Sequence, residues 1–267
     1  MTWIGCAATK APPELDAPDV PRVVNLNVEP GDRSLYLQWQ VDRSEGQAFS
    51  GYNIYLLPGT SEVAGVPDAP AEDTRPIHPV PYPGDTDDDP THVGFEAENL
   101  QNGIWYSCYV RPVATSGRLG APSEVRHAVC RPGGRTTLQP IFSGDVDGFD
   151  FSAGRHVNTD AGDCDVAFFV KNSLLTLIAP SEIDPLLHET RFWDAGSHGA
   201  FDAIVEFETE GTGVTRLEPR VGHIYVYQTF DGRFGKFRID AIERDSDTPT
   251  IHFEFMYQPI PGLTYLR

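Results

Sequence analysis

Leu35-Tyr36-Leu37-Gln38-Trp39-Gln40 sets Leu35, Leu37 and Trp39 in alternation with Tyr36, Gln38 and Gln40. Successive side chains of an extended chain point to opposite faces, so this period of two reads as a strand with one buried face. Working outward, Tyr52-Asn53-Ile54-Tyr55-Leu56, Val93-Gly94-Phe95-Glu96 and Trp105-Tyr106-Ser107-Cys108-Tyr109-Val110 read as further strands, and Ala121 to Val125 leads into a closing one that runs to about Cys130. No helical periodicity intervenes, which predicts an antiparallel β-sandwich over residues 21–132, interrupted by a long Pro- and Asp-rich insertion at 58–91.

Arg131-Pro132-Gly133-Gly134-Arg135 reads as a hinge, and residues 136–267 as a second domain, also rich in β-strands. Gly148-Phe149-Asp150-Phe151 and Asp163 to Phe169 are expected to pair around a turn at Ser152-Ala153-Gly154. Tyr225 to Thr229 and Phe234 to Ile239 flank Asp231-Gly232, a strong hairpin signal, and Ile251 to Tyr257 is the last strand. Ser181 to His188 is expected to form one short helix with Ser181 as its cap. The predicted class is mainly β, in two domains.

The chain has 267 residues, 40% of them apolar, which suffices for two buried cores. A formal charge of −19 repels phosphate backbones and anionic headgroups, so nucleic acid is excluded as a partner. The four cysteines form no CxxC pair, and the acidic run Asp85 to Asp89 lacks the glycine and distant glutamate of an EF-hand loop, so no metal site is expected. Calcium held by that run is the alternative to a solvated acidic loop. GxSxG, HExxH, P-loop and GxGxxG motifs are absent, and no catalytic residues are assigned.

Several marks of the first half resemble the fibronectin type III domain: Pro21 before the first strand, Trp39 in the second, Gly51-Tyr52 with Ile54-Tyr55 in the third, and Leu100 followed six residues later by Tyr106. Such domains serve as spacers or recognition modules. In the second half, Phe149-Asp150-Phe151-Ser152-Ala153-Gly154, then Asp163-Cys164-Asp165-Val166-Ala167-Phe168, the Tyr225–Ile239 hairpin and Phe253-Glu254-Phe255-Met256-Tyr257-Gln258 resemble the HmuY-like bacterial lipoproteins. The sequence departs from that family at Cys164, where tryptophan is favoured, and at Lys171-Asn172-Ser173-Leu174-Leu175, which replaces a Gly/Ser-rich segment.

The HmuY-like resemblance implies a surface-attached haem-capture domain whose axial histidines or methionines lie in its middle. His188 and His198 are the candidate ligands there, with Arg191 for a propionate and Phe192 and Trp193 to line a slot. Against this stands the reading of both histidines as surface-loop residues. Gly5-Cys6-Ala7, followed by a Pro- and Asp-rich tether over residues 1–20, is similar to a lipoprotein cleavage site, with Cys6 as the acylated residue and the rest of the signal upstream of Met1. Cys108 and Cys130 fall on neighbouring strands and are candidates for a disulfide; a buried free thiol at Cys108 is the alternative. The expectation is a non-enzymatic lipoprotein of the bacterial envelope, outer-membrane-anchored or secreted, that captures a ligand, haem first. The alternative is a cofactor-free adhesion or protein/glycan-binding module.

Overall fold

The computed structural model describes residues 20–42, 49–59, 74–84, 92–141, 143, 147–208, 211–244 and 248–266. Cys6, nearly all of the tether and Asp85–Asp89 lie outside them. The fold is mainly β, built from antiparallel sheets.

Six strands come first: β1 (Arg22–Gly31), β2 (Ser34–Asp42), β3 (Phe49–Gly59), β4 (His92–Ala97), β5 (Trp105–Ala114) and β6 (Arg126–Val129). They form two three-stranded sheets, β1-β2-β4 and β3-β5-β6. The alternation read from the sequence holds: Leu35, Leu37 and Trp39 are fully buried, and Trp39 meets Tyr52 of the other sheet edge-on, 5.1 Å between ring centroids. Part of the 58–91 insertion is packed rather than looped out. Tyr82 exchanges two 2.7 Å backbone hydrogen bonds with Tyr52, covering the edge of β3. Its ring lies 6.5 Å from Trp39, and its hydroxyl donates to the Gly94 carbonyl at 2.9 Å.

Ten more strands follow. One sheet runs β13-β11-β10-β8-β9, the other β12-β14-β15-β16-β7, with ranges Gly133–Leu138 for β7, Gly148–Asp150 for β8, Arg155–Val157 for β9, Val166–Lys171 for β10, Leu174–Ile178 for β11 and Arg191–Ser197 for β12. The remainder are β13 (Arg216–Leu217), β14 (His223–Gln228), β15 (Phe234–Glu243) and β16 (Thr250–Tyr257). Inward-facing Phe149, Phe151 and Phe168 from one sheet meet Tyr227, Phe237 and Phe255 from the other in a single buried cluster. Phe151 stacks on Tyr227 at 4.0 Å. Gly235 makes this packing feasible: it stands opposite Tyr227, and a Cβ there would lie 2.2 Å from the phenol ring. The Tyr227 hydroxyl crosses it to donate to the Met256 carbonyl at 3.1 Å.

Three expectations are corrected. The supposed hinge is ordered strand, because Gly133 to Leu138 pairs with β16 from Met256 to Ile251. The chain divides instead at Val129: its second unit takes in Val129 onward together with Pro30–Leu35 and Glu98–Ile104, and the first unit the described remainder. Backbone bonds from Gly103 to Cys130 and from Arg131 to Gly31, each 2.9 Å, tie these turns to the stretch entering β7. The helix at Ser181–His188 is only a 3-10 turn, Pro180–Glu182, with no side-chain cap. Pro185 forbids continuation, since the residue before a proline is pushed out of helical geometry. Finally, the turn after Phe151 joins β8 to β9, while β10 starts at Val166 and pairs with β8 on its other side.

The β10–β11 hairpin turns on Asn172 and Ser173, with φ of 51° and 66°. Two successive left-handed residues are what a two-residue hairpin needs to match the twist of its strands. Asparagine tolerates that region and serine pays steric strain. Ser173→Gly is therefore expected to stabilise the protein by about 0.5–1 kcal/mol, read as a higher urea midpoint.

Candidate functional site

His188, Arg191 and His198 are not brought together. The seven residues of β12 separate the two histidines, a span of roughly 20 Å at the usual rise per residue. Arg191 pairs with Gln228 at one end of the strand and Ser197 with His223 at the other. The His188 ring stacks on Phe230 at 3.5 Å, and His198 Nε2 lies 2.9 Å from the Ala195 carbonyl. Arg191 donates to the Thr212 carbonyl at 2.6 Å and pairs with Glu189 at 2.5 Å. Phe192, expected to line a slot, is instead fully buried in the core, and Trp193 packs against Phe207 at 6.2 Å.

Nor do the described residues of the aromatic core line a slot between the sheets. The void bounded by Leu138, Phe151, Val166, Phe237 and Phe253 measures about 10 Å³. That is about the size of one water probe, against several hundred Å³ for a cofactor site.

Cys108, Cys130 and Cys164 are buried thiols, so the candidate Cys108–Cys130 bridge is not formed and the alternative, a buried thiol at Cys108, is what the structure shows. The residue facing Cys130 is Gly103, whose N–H reaches the Cys130 carbonyl at 2.9 Å. Cys108 lies five residues further along the same run, roughly 17 Å in extended chain, whereas a disulfide needs Cα atoms within about 7 Å. Cys164 fills the space above Gly148, where a Cβ would come 2.5 Å from its sulfur. Burial, reinforced by Asp165, pushes its thiol up to about 12. Burial also holds Cys130 at about 12, with Asp32 adding to it. Neither can supply thiolate near neutral pH.

The acidic motif residues shape a turn. Asp150 Oδ1 accepts from the Ser152 N–H (2.8 Å), the Ser152 hydroxyl (2.7 Å) and the Ala153 N–H (3.1 Å), while Asp165 Oδ2 accepts from the Phe151 N–H at 2.9 Å. Asp163 pairs with Arg155 at 2.7 Å. Burial drives the Asp165 carboxyl up to about 7; the Phe151 hydrogen bond opposes the rise, and Asp150, Asp231 and Asp163 add to it.

The outer face of the β7–β15 sheet carries a cleft of about 450 Å³. It is lined by Arg135 and Thr137 of β7, His252 of β16, and Asp240, Ala241 and Glu243 of β15, among others. A bulge makes it: Ile239 faces Phe253, Asp240 is skipped, and Ala241 then faces His252. His252 Nε2 lies 2.9 Å from Glu243 Oε1, within ion-pair range though off the axis of a good hydrogen bond. Arg238 braces the rim, donating to Asp240 at 2.8 Å and Glu254 at 3.0 Å, and Arg135 approaches Glu254 at 3.6 Å. No family model matches the chain, and no curated protein matches it.

Further along the same face Val226, Phe234, Met256 and Leu266 form a second buried cluster, with Phe201, Ile204 and Phe207 packed on it. Lys236 is buried beneath, its ammonium donating to the Phe201 and Ile204 carbonyls at 2.8 Å each. Burial brings it down to about 8, with Asp202 opposing and Arg131 assisting. Its hydrogen bonds tie the covering segment to the sheet, which accounts for a lysine in a β-strand interior.

Sequence reasoning missed the whole cleft. Arg135 fell within a presumed hinge, and the bulge at Asp240 leaves no mark on an otherwise regular strand pattern.

Proposed function

We propose that this chain is a cofactor-free binding module of the bacterial cell envelope, not an enzyme: a fibronectin-type-III-like spacer carrying an HmuY-like domain that binds a protein or glycan ligand on its outside. The observation that carries this reading is the filled core. Among the described residues the void between the sheets measures about 10 Å³, far too small for a tetrapyrrole, and His188 and His198 sit at opposite ends of β12. Splitting six consecutive strands into β1-β2-β4 and β3-β5-β6 is compatible with the Greek-key sandwiches to which fibronectin type III domains belong. The Phe-Asp-Phe-Ser-x-Gly motif that resembles the HmuY-like proteins has a complete role in its turn, which supports reading the resemblance as one of fold. Envelope attachment through Cys6 rests on the N-terminal sequence alone.

Hemin titration of the full chain, followed at the Soret band, tests the reading. The expected result is no saturable change. A stoichiometric, saturating band lost in His188→Ala or His198→Ala would overturn it.

A further inference from the structure

We propose that the cleft between β7, β15 and β16 binds a neutral polyhydroxyl ligand, such as one sugar ring of a glycan, through Glu243, His252, Thr137 and Arg135. The proposal rests on the cofactor-free reading above and adds to it a site and a ligand class.

Size comes first. About 450 Å³ lies within the range of small-ligand sites and exists because the bulge places the short Ala241 side chain opposite His252. Neighbouring outward positions on β15 carry long side chains, Lys236 and Arg238, so the hollow is local to this one register.

The chemistry of the walls narrows the ligand. Glu243 and Asp240 only accept hydrogen bonds, Arg135 only donates, and Thr137 does both. A sugar hydroxyl both donates and accepts, so adjacent hydroxyls on one ring can satisfy a carboxylate and a guanidinium together. An anionic ligand is disfavoured: the two guanidiniums, Arg135 and Arg238, are already paired with Asp240 and Glu254, and Glu243 adds a third carboxylate to the cleft. A cation gains little, because the Arg238 and Arg135 contacts already engage Asp240 and Glu254. Those contacts also hold the rim in place before a ligand arrives, and preorganisation lowers the ordering cost of binding. Glu243, with a side chain 63% exposed, keeps free acceptor capacity.

The test is a titration of the ¹⁵N-labelled full chain with methyl α-mannoside, methyl β-galactoside and N-acetylglucosamine, and with methylammonium as the cationic arm. At least one sugar is expected to give saturable shifts at the Thr137, Ala241 and His252 amides. Ala241→Phe, which fills the hollow and leaves every polar group in place, is expected to abolish them. Glu243→Gln is expected to weaken binding by roughly 10-fold or more, with the thermal midpoint unchanged. No saturable shift with any sugar, shifts that map elsewhere or survive Ala241→Phe, or a response to methylammonium alone would each overturn the proposal. Absence of both sugar and hemin binding defeats only this inference, whereas saturable hemin binding defeats the reading beneath it.

Discussion

Phe151→Ala is expected to cost about 3–5 kcal/mol, measured as the loss in unfolding free energy of the second sandwich in urea. Phe151 is fully buried and central to the aromatic cluster: stacked on Tyr227 at 4.0 Å and within 5.8 Å of both Phe237 and Phe255. Truncation removes the ring's transfer free energy and leaves a cavity between two sheets whose backbones are fixed by ladders on both sides, so the walls cannot close. Domains of ordinary size are stable by about 5–15 kcal/mol, so the loss brings this unit near its unfolding threshold. Phe151→Leu, which keeps much of the volume, is expected to cost about 1–2 kcal/mol. Equal effects from the two substitutions would mean the interior rearranges freely, contrary to the close packing described here.

The second large effect is on pH dependence. Asp165 keeps its proton up to about 7 in the folded protein, against 3.8 for an ordinary carboxyl. A group raised on folding contributes stability that is complete below the unfolded value and is lost as pH rises through the folded one. The stabilising contribution of protonated Asp165 is therefore present near pH 4 and gone above pH 7, a swing of at most about 4 kcal/mol. Asp165→Asn has the same shape and still offers an oxygen to the Phe151 N–H, but carries no charge to bury. It is expected to match the wild type at pH ~4 and to exceed it in stability by a few kcal/mol at pH ~8. A variant that is less stable at both pH values would show that the ionised carboxylate, not the neutral acid, holds the β8–β9 turn.

Much of the strand framework was legible because its signals are local. Leu35, Leu37 and Trp39 declare a buried face by alternation alone, and Asp231-Gly232 closes its hairpin with a 2.9 Å bond between the Thr229 N–H and the Arg233 carbonyl. What escaped depends on partners distant in sequence. Strand β12 is not among the strands read from the sequence: Asp194 and Gly196 break its alternation, and pairing with β14, around an irregularity between those two residues, makes it a strand. The choice between a Cys108–Cys130 bridge and a buried thiol stayed open for the same reason: the sequence places the two on neighbouring strands but not their register, and a shift of five residues decides whether two sulfurs can meet. Gly133-Gly134 looks like a hinge in composition. Yet Gly133 lies so close to β16 that a Cβ would be 3.1 Å from the Phe255 carbonyl, so there the glycine serves close approach of two backbones.

The candidate site was less legible still. Histidines in an aromatic-rich stretch suggested a haem pocket, since a sequence records which ligands are present but not the strand that runs between them. The cleft, by contrast, draws residues from three strands separated by more than a hundred positions, and it depends on one bulged aspartate. Fold and site are separate inferences here, as they are in general.

The account depends on two sheet sandwiches that are each closed by their own side chains. Native-state hydrogen exchange on Phe151→Ala addresses that claim directly. The slow amides of Val226, Phe237 and Phe255 are predicted to exchange roughly 100-fold faster or more than in the wild type, while those of Leu37, Ile54 and Val110 keep their original rates. Equal acceleration of both sets would contradict it, showing one cooperative core in place of two.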